Sequence, residues 1–155
     1  MKNILISFFC FGMVWTSAGQ TVQMVQDSQN IQALLDAMSG AWNLHDAKAY
    51  SMAFSEEADF TDVLGLSVFG RKAIQTLHEQ SFATRFRNSS LTITGKKIRY
   101  ITNDILAVDV SWEMKGVQTT EGKQLPPGKG LANLLLTRDG SRWLILIMHN
   151  MTLPV

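Results

Sequence analysis

Apolar residues recur every three or four positions in the first half of the chain and form denser runs in the second half. The first series lies on one face of an amphipathic helix and comprises Ile31, Leu34, Leu35, Met38 and Trp42. Asp27 or Ser28 could cap its start, because short polar side chains accept hydrogen bonds from the free amides of a first helical turn. The pattern therefore predicts a first helix that carries this apolar face.

Two more helices are predicted, one on each side of a short extended segment. Asp46 is placed to cap a short second helix. The inward side of that helix consists of Tyr50, Ala53 and Phe54. Residues 60–64 and 66–69 flank a glycine and favour two short strands or an extended turn. A third helix follows Gly70 and runs from Arg71 to about Phe86, and one of its faces consists of Ile74, Leu77, His78, Ser81 and Phe82.

The second half of the chain has the pattern of four strands. β-Branched and aromatic residues dominate the runs 91–100, 105–115, 129–137 and 144–151. Turn residues separate these runs, among them Asn103-Asp104, Pro126-Pro127-Gly128 and Asp139-Gly140. Helices first and an antiparallel meander afterwards indicate an α+β fold, in which three helices cover one face of a curved sheet.

The last strand is apolar on both faces. Strict alternation places Trp143, Ile145, Ile147 and His149 on one face and Leu144, Leu146, Met148 and Asn150 on the other. Helices can cover only one of these faces, so we expect a homodimer through the outer face of the sheet. In the strand 105–115 the same alternation directs Trp112 toward the helices.

The first 19 residues have the composition of a secretory signal peptide. Lys2 precedes the apolar run 4–15, and the small residues 16–19 follow it. The apolar run is shorter than the roughly 20 residues of a membrane span, and an uncleaved anchor is the alternative. We expect residues 20–155 to form one mature domain that is secreted or periplasmic and has no stable membrane anchor.

Charge and cysteine content exclude several kinds of partner. Cys10, the only cysteine, falls within the predicted leader, so the mature chain would have no disulfide and no thiolate metal site. Without Lys2, 13 of the 14 basic side chains remain against 13 acidic ones. A near-neutral chain is a poor partner for nucleic acid. The three histidines lack metal-like spacing and no cofactor motif is present, so we expect neither a metal nor a cofactor.

A few polar residues interrupt apolar segments and are candidates for a pocket. Asp62 lies among apolar residues before the Gly65 turn, where a carboxylate either transfers protons or accepts backbone amides. His149 ends the apolar run 143–148 and is either a proton donor or relay, or a packed core or interface residue. Asn133 lies in an otherwise apolar strand, and a buried amide needs partners that a ligand can supply.

Bulky side chains are expected to form a wall around these polar groups. The predicted ligand-binding residues are Met38, Trp42, Tyr50, Phe54, Phe82, Trp112 and Asn133. His78, between Leu77 and Phe82 on the third helix, is expected to pack in the core or at the rim rather than to take part in chemistry.

Four segments together resemble the SnoaL-like and SgcJ/EcaC branch of the nuclear transport factor 2-like superfamily. They are Trp42-Asn43 ahead of Asp46, FSEEADFTD, Gly70-Arg71-Lys72-Ala73-Ile74, and DGSRWLILIMHN, which ends at Asn150. The resemblance covers nearly all of the mature chain. It implies a cone of three N-terminal helices on a strongly bent antiparallel sheet, with a deep apolar pocket between them. Many proteins of this kind are homodimers through the sheet.

The superfamily includes ketosteroid isomerases and polyketide cyclases, in which a pocket carboxylate moves a proton beside a carbonyl. Along that pattern, Asp62 falls on the general-base position and Trp112 on an aromatic wall position. Met38 stands where the isomerases have a hydrogen-bonding tyrosine, and Asn133 stands near their protonated acid. The resemblance therefore implies a pocket without the strongest donor to an enolate, which disfavours steroid isomerase activity.

Three functions remain open from the sequence. The first is an exported domain that binds a small apolar or amphipathic molecule, with Asp62, Asn133 and His149 as orienting polar groups. The second is an isomerase, cyclase or hydratase that uses Asp62 as general base and His149 as acid or relay. The third is a dimeric interaction module whose pocket is filled by its own side chains, such as Met38, Phe54 and Phe82.

Overall fold

The computed structural model describes residues 16–154 of the chain, which form three helices and one six-stranded sheet. The helices are α1 (Thr16–Asn43), α2 (Ala47–Ser51) and α3 (Arg71–Ala83). The strands are β1 (Phe54–Thr61), β2 (Ser67–Phe69), β3 (Ser90–Tyr100), β4 (Ile105–Lys115), β5 (Gly128–Asp139) and β6 (Arg142–Thr152). Their order in the sheet is β2-β1-β6-β5-β4-β3.

The predicted α+β architecture, with three helices packed on one sheet, is confirmed. β3 to β6 form the expected antiparallel meander, and β2 pairs antiparallel with β1. One pair is parallel, because β1 lies beside β6 and runs in the same direction. α3 and the strands β3 to β5 lie between these two strands in the chain and supply the crossover that a parallel pair needs. α1 packs on β3 and β6, whereas α3 packs on β1 and β2.

The ends of the first two helices differ from the prediction. α1 begins at Thr16, so Asp27 lies inside it rather than at its N-terminus. Asp46 caps α2 as predicted, and its carboxylate accepts a hydrogen bond from the Ala49 amide at 2.9 Å. α2 ends at Ser51, so Phe54 begins β1 instead of belonging to the helix.

The predicted leader falls largely on residues 1–15, which lie outside the described residues. Residues 16–19 form the first turn of α1. Within residues 16–154, no helix is both long enough and apolar enough to span a membrane. Cleavage of the leader and export stay predictions.

β6 contains one more residue than the stretch of β5 that it pairs with. Leu135 pairs with Ile147 and Leu136 with Ile145, which leaves Leu146 as the extra residue of a bulge. Because side chains alternate with a period of two, the bulge reverses the faces beyond it. The inner face, toward the helices, carries Trp143, Ile145, Met148 and Asn150, and the outer face carries Leu144, Ile147 and His149. The predicted strict alternation along this strand is therefore wrong.

The outer face of the sheet combines apolar and polar side chains. Leu131, Leu135 and Ile147 are half-buried there, and a salt bridge of 2.8 Å joins Lys129 to Glu113 at one side. The homodimer through this face stays a prediction.

The side chain of Asp27 ties α1 to the sheet from the inside. It is fully buried and accepts hydrogen bonds from Trp143 Nε1 on β6 at 3.0 Å and from Arg138 Nη2 on β5 at 3.2 Å. The amide of Gln23, one turn earlier in α1, donates to the same carboxylate at 3.0 Å. A buried charge is tolerated when it is paired and hydrogen-bonded, so this cluster fixes the position of α1 relative to its donors on β5 and β6.

We expect Asp27→Ala to lower the free energy of unfolding by about 3 kcal/mol, because the Arg138 guanidinium and the Trp143 indole N–H lose their buried acceptor. Asp36→Ala is the matched control. Asp36 also lies in α1 and accepts an amide from the glutamine four residues earlier, at 2.8 Å, but its side chain is exposed. Urea unfolding of both variants measures the difference. A loss below about 1 kcal/mol in Asp27→Ala would show that the cluster does not anchor the helix.

Candidate functional site

An open cavity lies between the helices and the inner face of the sheet. Its volume is about 610 Å³, and its wall is mostly apolar. The three helices supply one side of the wall, and β4, β5 and β6 supply the other. Leu64, Leu66 and Leu125 line the cavity and are also exposed to solvent, so the turn 62–66 and the segment 117–126 border its mouth.

Five of the predicted site residues line this cavity: Met38, Trp42, Tyr50, Asp62 and Trp112. Met38 and Trp42 project from the buried face of α1. The Trp42 ring contacts Tyr50 edge-on at a centroid distance of 5.6 Å, and its Nε1 donates to the Ser89 hydroxyl at 3.0 Å. The aromatic part of the wall is therefore held in place by packing and by a hydrogen bond.

Two of the predicted ligand-binding residues support the wall from behind instead of lining the cavity. Phe54 is fully buried on β1, and its ring packs against Tyr50 and Phe60 at centroid distances of 5.6 and 6.1 Å. Phe82 on α3 packs edge-on against Trp42 at 5.1 Å. Each contacts a residue that faces the cavity, which explains why hydrophobic periodicity could not separate the wall from the core behind it.

The structure places Asn133 and His149 on the outer face of the sheet, away from the cavity. Asn133 lies between inward-facing residues of β5, and its amide donates to Asp109 Oδ1 on β4 at 2.7 Å. His149 pairs with Asn133 across β5 and β6 and is exposed. The prediction that these residues join Asp62 in one pocket is wrong: the bulge at Leu146 turns His149 outward, and Asn133 alternates with the inward-facing residues beside it on β5.

Asp62 holds the turn at the mouth of the cavity. Its Oδ1 accepts hydrogen bonds from the backbone amides of Leu64 at 2.8 Å and Leu66 at 2.9 Å. Gly65, within the turn, has a φ of 83°, a conformation that favours glycine. The carboxylate therefore stabilises the turn, one of the two roles open from the sequence, while it also lines the cavity.

His78, which the sequence predicts to pack in the core or at the rim, is a buried imidazole in the cavity wall. Its ring lies among the rings of Trp42, Tyr50, Phe60 and Phe82, at centroid distances between 4.3 and 5.8 Å. Its Nδ1 is 2.7 Å from the carbonyl oxygen of Ile74, which can only accept, so Nδ1 carries the proton. Burial lowers the pKa of His78 to about 4. The side chain is neutral at pH 7, and Nε2, which has no hydrogen-bond partner among residues 16–154, is an acceptor or base.

The side chain of Trp112, on β4, lies over Gly130 of the neighbouring strand β5. A side chain at Gly130 would collide with the indole, since its Cβ would lie 2.0 Å from Trp112 Cζ2. The indole Nε1 is buried, and none of the described residues accepts a hydrogen bond from it. A buried donor without a partner costs about 1–3 kcal/mol.

Two more polar residues line the cavity, and neither of them was predicted as a site residue. Asn150 faces the cavity because of the bulge in β6, and its amide donates to the Thr61 carbonyl at 3.3 Å. Arg85, in the turns after α3, also lines the cavity. The predicted third helix extends to about Phe86, but α3 ends at Ala83, so helical periodicity does not place Arg85. Residues 16–154 contain no group of three or more His, Cys, Asp or Glu side chains arranged to hold a metal ion.

The fold has relatives among solved structures, although no family model and no curated protein matches the chain. An uncharacterised protein with a cystatin-like fold from Caulobacter vibrioides is 23% identical, with a TM-score of 0.75 over 82% of this chain and 89% of its own. An NTF-2-like protein of unknown function from Shewanella oneidensis is 21% identical, with a TM-score of 0.67 over 81% and 98%. A type 2 hexachlorocyclohexane dehydrochlorinase is 11% identical, with a TM-score of 0.77 over 85% and 88%.

These similarities show that the chain has the nuclear transport factor 2-like, cystatin-like fold. The resemblance seen in the sequence is confirmed at the level of the fold. Its assignment to the SnoaL-like branch stays a prediction.

We expect His78 to make the protein less stable as the pH falls from about 6.5 to about 4. The unfolded chain binds a proton on this imidazole near its ordinary pKa of 6.5, whereas the folded chain binds it only near pH 4. The unfolded state thus holds more protons in this window, and the free energy of unfolding falls on acidification by at most about 1.4 kcal/mol per pH unit. Above about pH 6.5 the contribution of His78 is fully present.

Urea unfolding across this pH range measures the effect. His78→Gln should remove this part of the pH dependence. His149→Gln, on the exposed outer face, is the control and should retain it. Equal pH dependence in the wild type and in His78→Gln would contradict the burial of a neutral imidazole.

Proposed function

We propose that the chain is an exported protein that binds a small apolar or amphipathic molecule in the cavity. The observation that carries this proposal is the cavity itself, an apolar space of about 610 Å³ that remains open although large side chains line it. Its size lies within the roughly 300–1,000 Å³ of typical small-molecule sites. An interaction module filled by its own side chains fits this open volume less well.

The polar groups of the wall are few and differ in kind, which suits recognition of one amphipathic molecule. The Asn150 side chain offers an amide, and His78 Nε2 offers an acceptor. Both residues lie on the cavity wall, one on β6 and the other on α3. A molecule with an apolar body and a carbonyl or hydroxyl group would satisfy them.

A cavity-filling substitution tests the proposal. We expect wild-type protein to bind the apolar dye N-phenyl-1-naphthylamine with enhanced dye fluorescence, and Ser81→Phe to weaken binding about tenfold or more, because the new ring occupies the cavity. Ser81 lines the cavity on α3, whereas its neighbour Gln80 is exposed and does not line it, so Gln80→Phe is the matched control. Thermal melts check that both variants fold. Absence of dye binding to the wild type, or equal binding by the three proteins, would contradict the proposal.

A proton-transfer enzyme of the isomerase, cyclase or hydratase type is the second candidate. It is favoured by the presence of two ionisable groups, Asp62 and His78, on the wall of one apolar cavity. One solved protein of the same fold is a dehydrochlorinase, so the fold can carry an enzyme. Between the two groups, we take His78 as the first candidate for the base, because its unprotonated Nε2 belongs to the buried aromatic wall, whereas Asp62 lies at the mouth and its Oδ1 holds the turn.

The elimination of 5-nitrobenzisoxazole tests for a base in the cavity, because removal of one carbon-bound proton breaks the N–O bond and releases a coloured cyanophenolate. If the cavity supplies the base, we expect His78→Gln to lower the rate by about 100-fold and Asp62→Asn to change it little. The Asp62→Asn variant keeps a side-chain oxygen that can accept the turn amides, so it removes the charge without removing the turn contacts. A larger loss of rate in Asp62→Asn than in His78→Gln would identify Asp62 as the base. An unchanged rate in both variants would exclude a base in the cavity.

A further inference from the structure

Two side chains with a full charge line the cavity in the described part of the chain, and their surroundings differ. They are Asp62 and Arg85. Asp62 is engaged by the amides of its own turn. Arg85 has no carboxylate within salt-bridge distance among the described residues, and its guanidinium lies 5.8 Å from the centre of the Phe86 ring.

The other arginines do not share this position. Four of them pair with carboxylates, namely Arg71, Arg99, Arg138 and Arg142. Arg87 is exposed and does not line the cavity. Arg85 is therefore the arginine that combines a place in the cavity wall with a guanidinium free of an ionic partner among residues 16–154.

The backbone of Arg85 is fixed at the mouth of the cavity. Its carbonyl accepts the Gln118 amide at 3.0 Å, and the buried Gln118 forms a β-bridge with Gln124. Leu125, beside that bridge, lines the cavity while exposed to solvent. Arg85 thus lies next to the opening, while Trp42 and His78 line the wall formed by the buried helix faces.

We infer that the cavity takes an anionic amphiphile, whose carboxylate pairs with Arg85 near the mouth and whose apolar body lies against the aromatic wall. This inference rests on the proposed binding function and specifies the class of ligand. A planar guanidinium with free N–H groups matches a carboxylate with two parallel hydrogen bonds. The rest of the wall near Arg85 is apolar, with Phe86, Val117 and Leu125 as neighbours, which suits a hydrocarbon body.

The charge of Asp62 does not cancel this preference. Two backbone N–H groups already point at its Oδ1 and offset part of the negative charge. No salt bridge joins Asp62 to Arg85 in the described structure, so the guanidinium is not neutralised within the cavity.

Displacement of N-phenyl-1-naphthylamine by two matched amphiphiles tests the inference. Dodecanoate and dodecan-1-ol share one chain and differ in charge, and both are used below their aggregation limits near pH 8, where the acid is ionised. We expect dodecanoate to displace the dye from the wild type at about one tenth of the alcohol concentration. Arg85→Gln should bring this ratio close to one without changing displacement by the alcohol. Arg85→Lys should keep part of the preference, and the exposed Arg87→Gln should keep all of it.

The outcomes separate this inference from the proposed function. If the dye binds and the two amphiphiles displace it equally from the wild type, the assignment of an anionic ligand is wrong while the binding function stands. A preference for dodecanoate that persists in Arg85→Gln would overturn the role of Arg85. Failure of the dye to bind the wild type would instead contradict the proposed binding function.

Discussion

The contact between Asp27 and the sheet is the constraint on which the rest of the architecture depends. Asp27, Ile31, Leu35, Met38 and Trp42 share one face of α1, and all five are buried. A carboxylate at one end of this face accepts from Arg138 and Trp143, while apolar side chains occupy the remainder. Because the charged end can lie only where its donors are, it sets the position of the helix along the sheet.

A second polar contact holds the other end of α1. The amide side chain of Asn43 donates to the Leu91 carbonyl at 3.0 Å and accepts from the Leu91 amide at 2.7 Å, as a neighbouring strand would. The two anchors are 16 residues apart, or about 24 Å along the helix. Met38 and Trp42 lie near the second anchor. Hydrogen bonds outside the cavity therefore fix the position of these two residues in its wall.

The sequence predicted the elements well because their signals are local. The apolar face of α1, the cap at Asp46 and the turn residues between strands depend on neighbours in the chain. The role of Asp27 could not be read in this way. A short polar residue ahead of an apolar series is typical of a helix start, and only its distant partners Arg138 and Trp143 make a buried position favourable.

The candidate site was harder to predict for a related reason. Met38, Trp42, Tyr50 and Trp112 line the cavity because periodicity directs them inward, and Asp62, which was singled out by its apolar neighbours before the Gly65 turn, lines it as well. Periodicity does not distinguish a side chain that meets another side chain from one that meets empty space. His78 was therefore assigned to packing, although its buried ring also borders the cavity. Its tautomer depends on the Ile74 carbonyl, which no pattern of residue types reveals.

The bulge at Leu146 has a consequence for how such a cavity can change its chemistry. Asn150 faces the cavity and His149 faces outward solely because one extra residue precedes them in β6. Loss of a single residue at this point would exchange the two faces, turning an imidazole inward and an amide outward without altering either side chain. The functional group offered to a ligand is thus encoded in the length of the strand as well as in its composition, and a chain of this fold can acquire a new reactive group through a one-codon deletion.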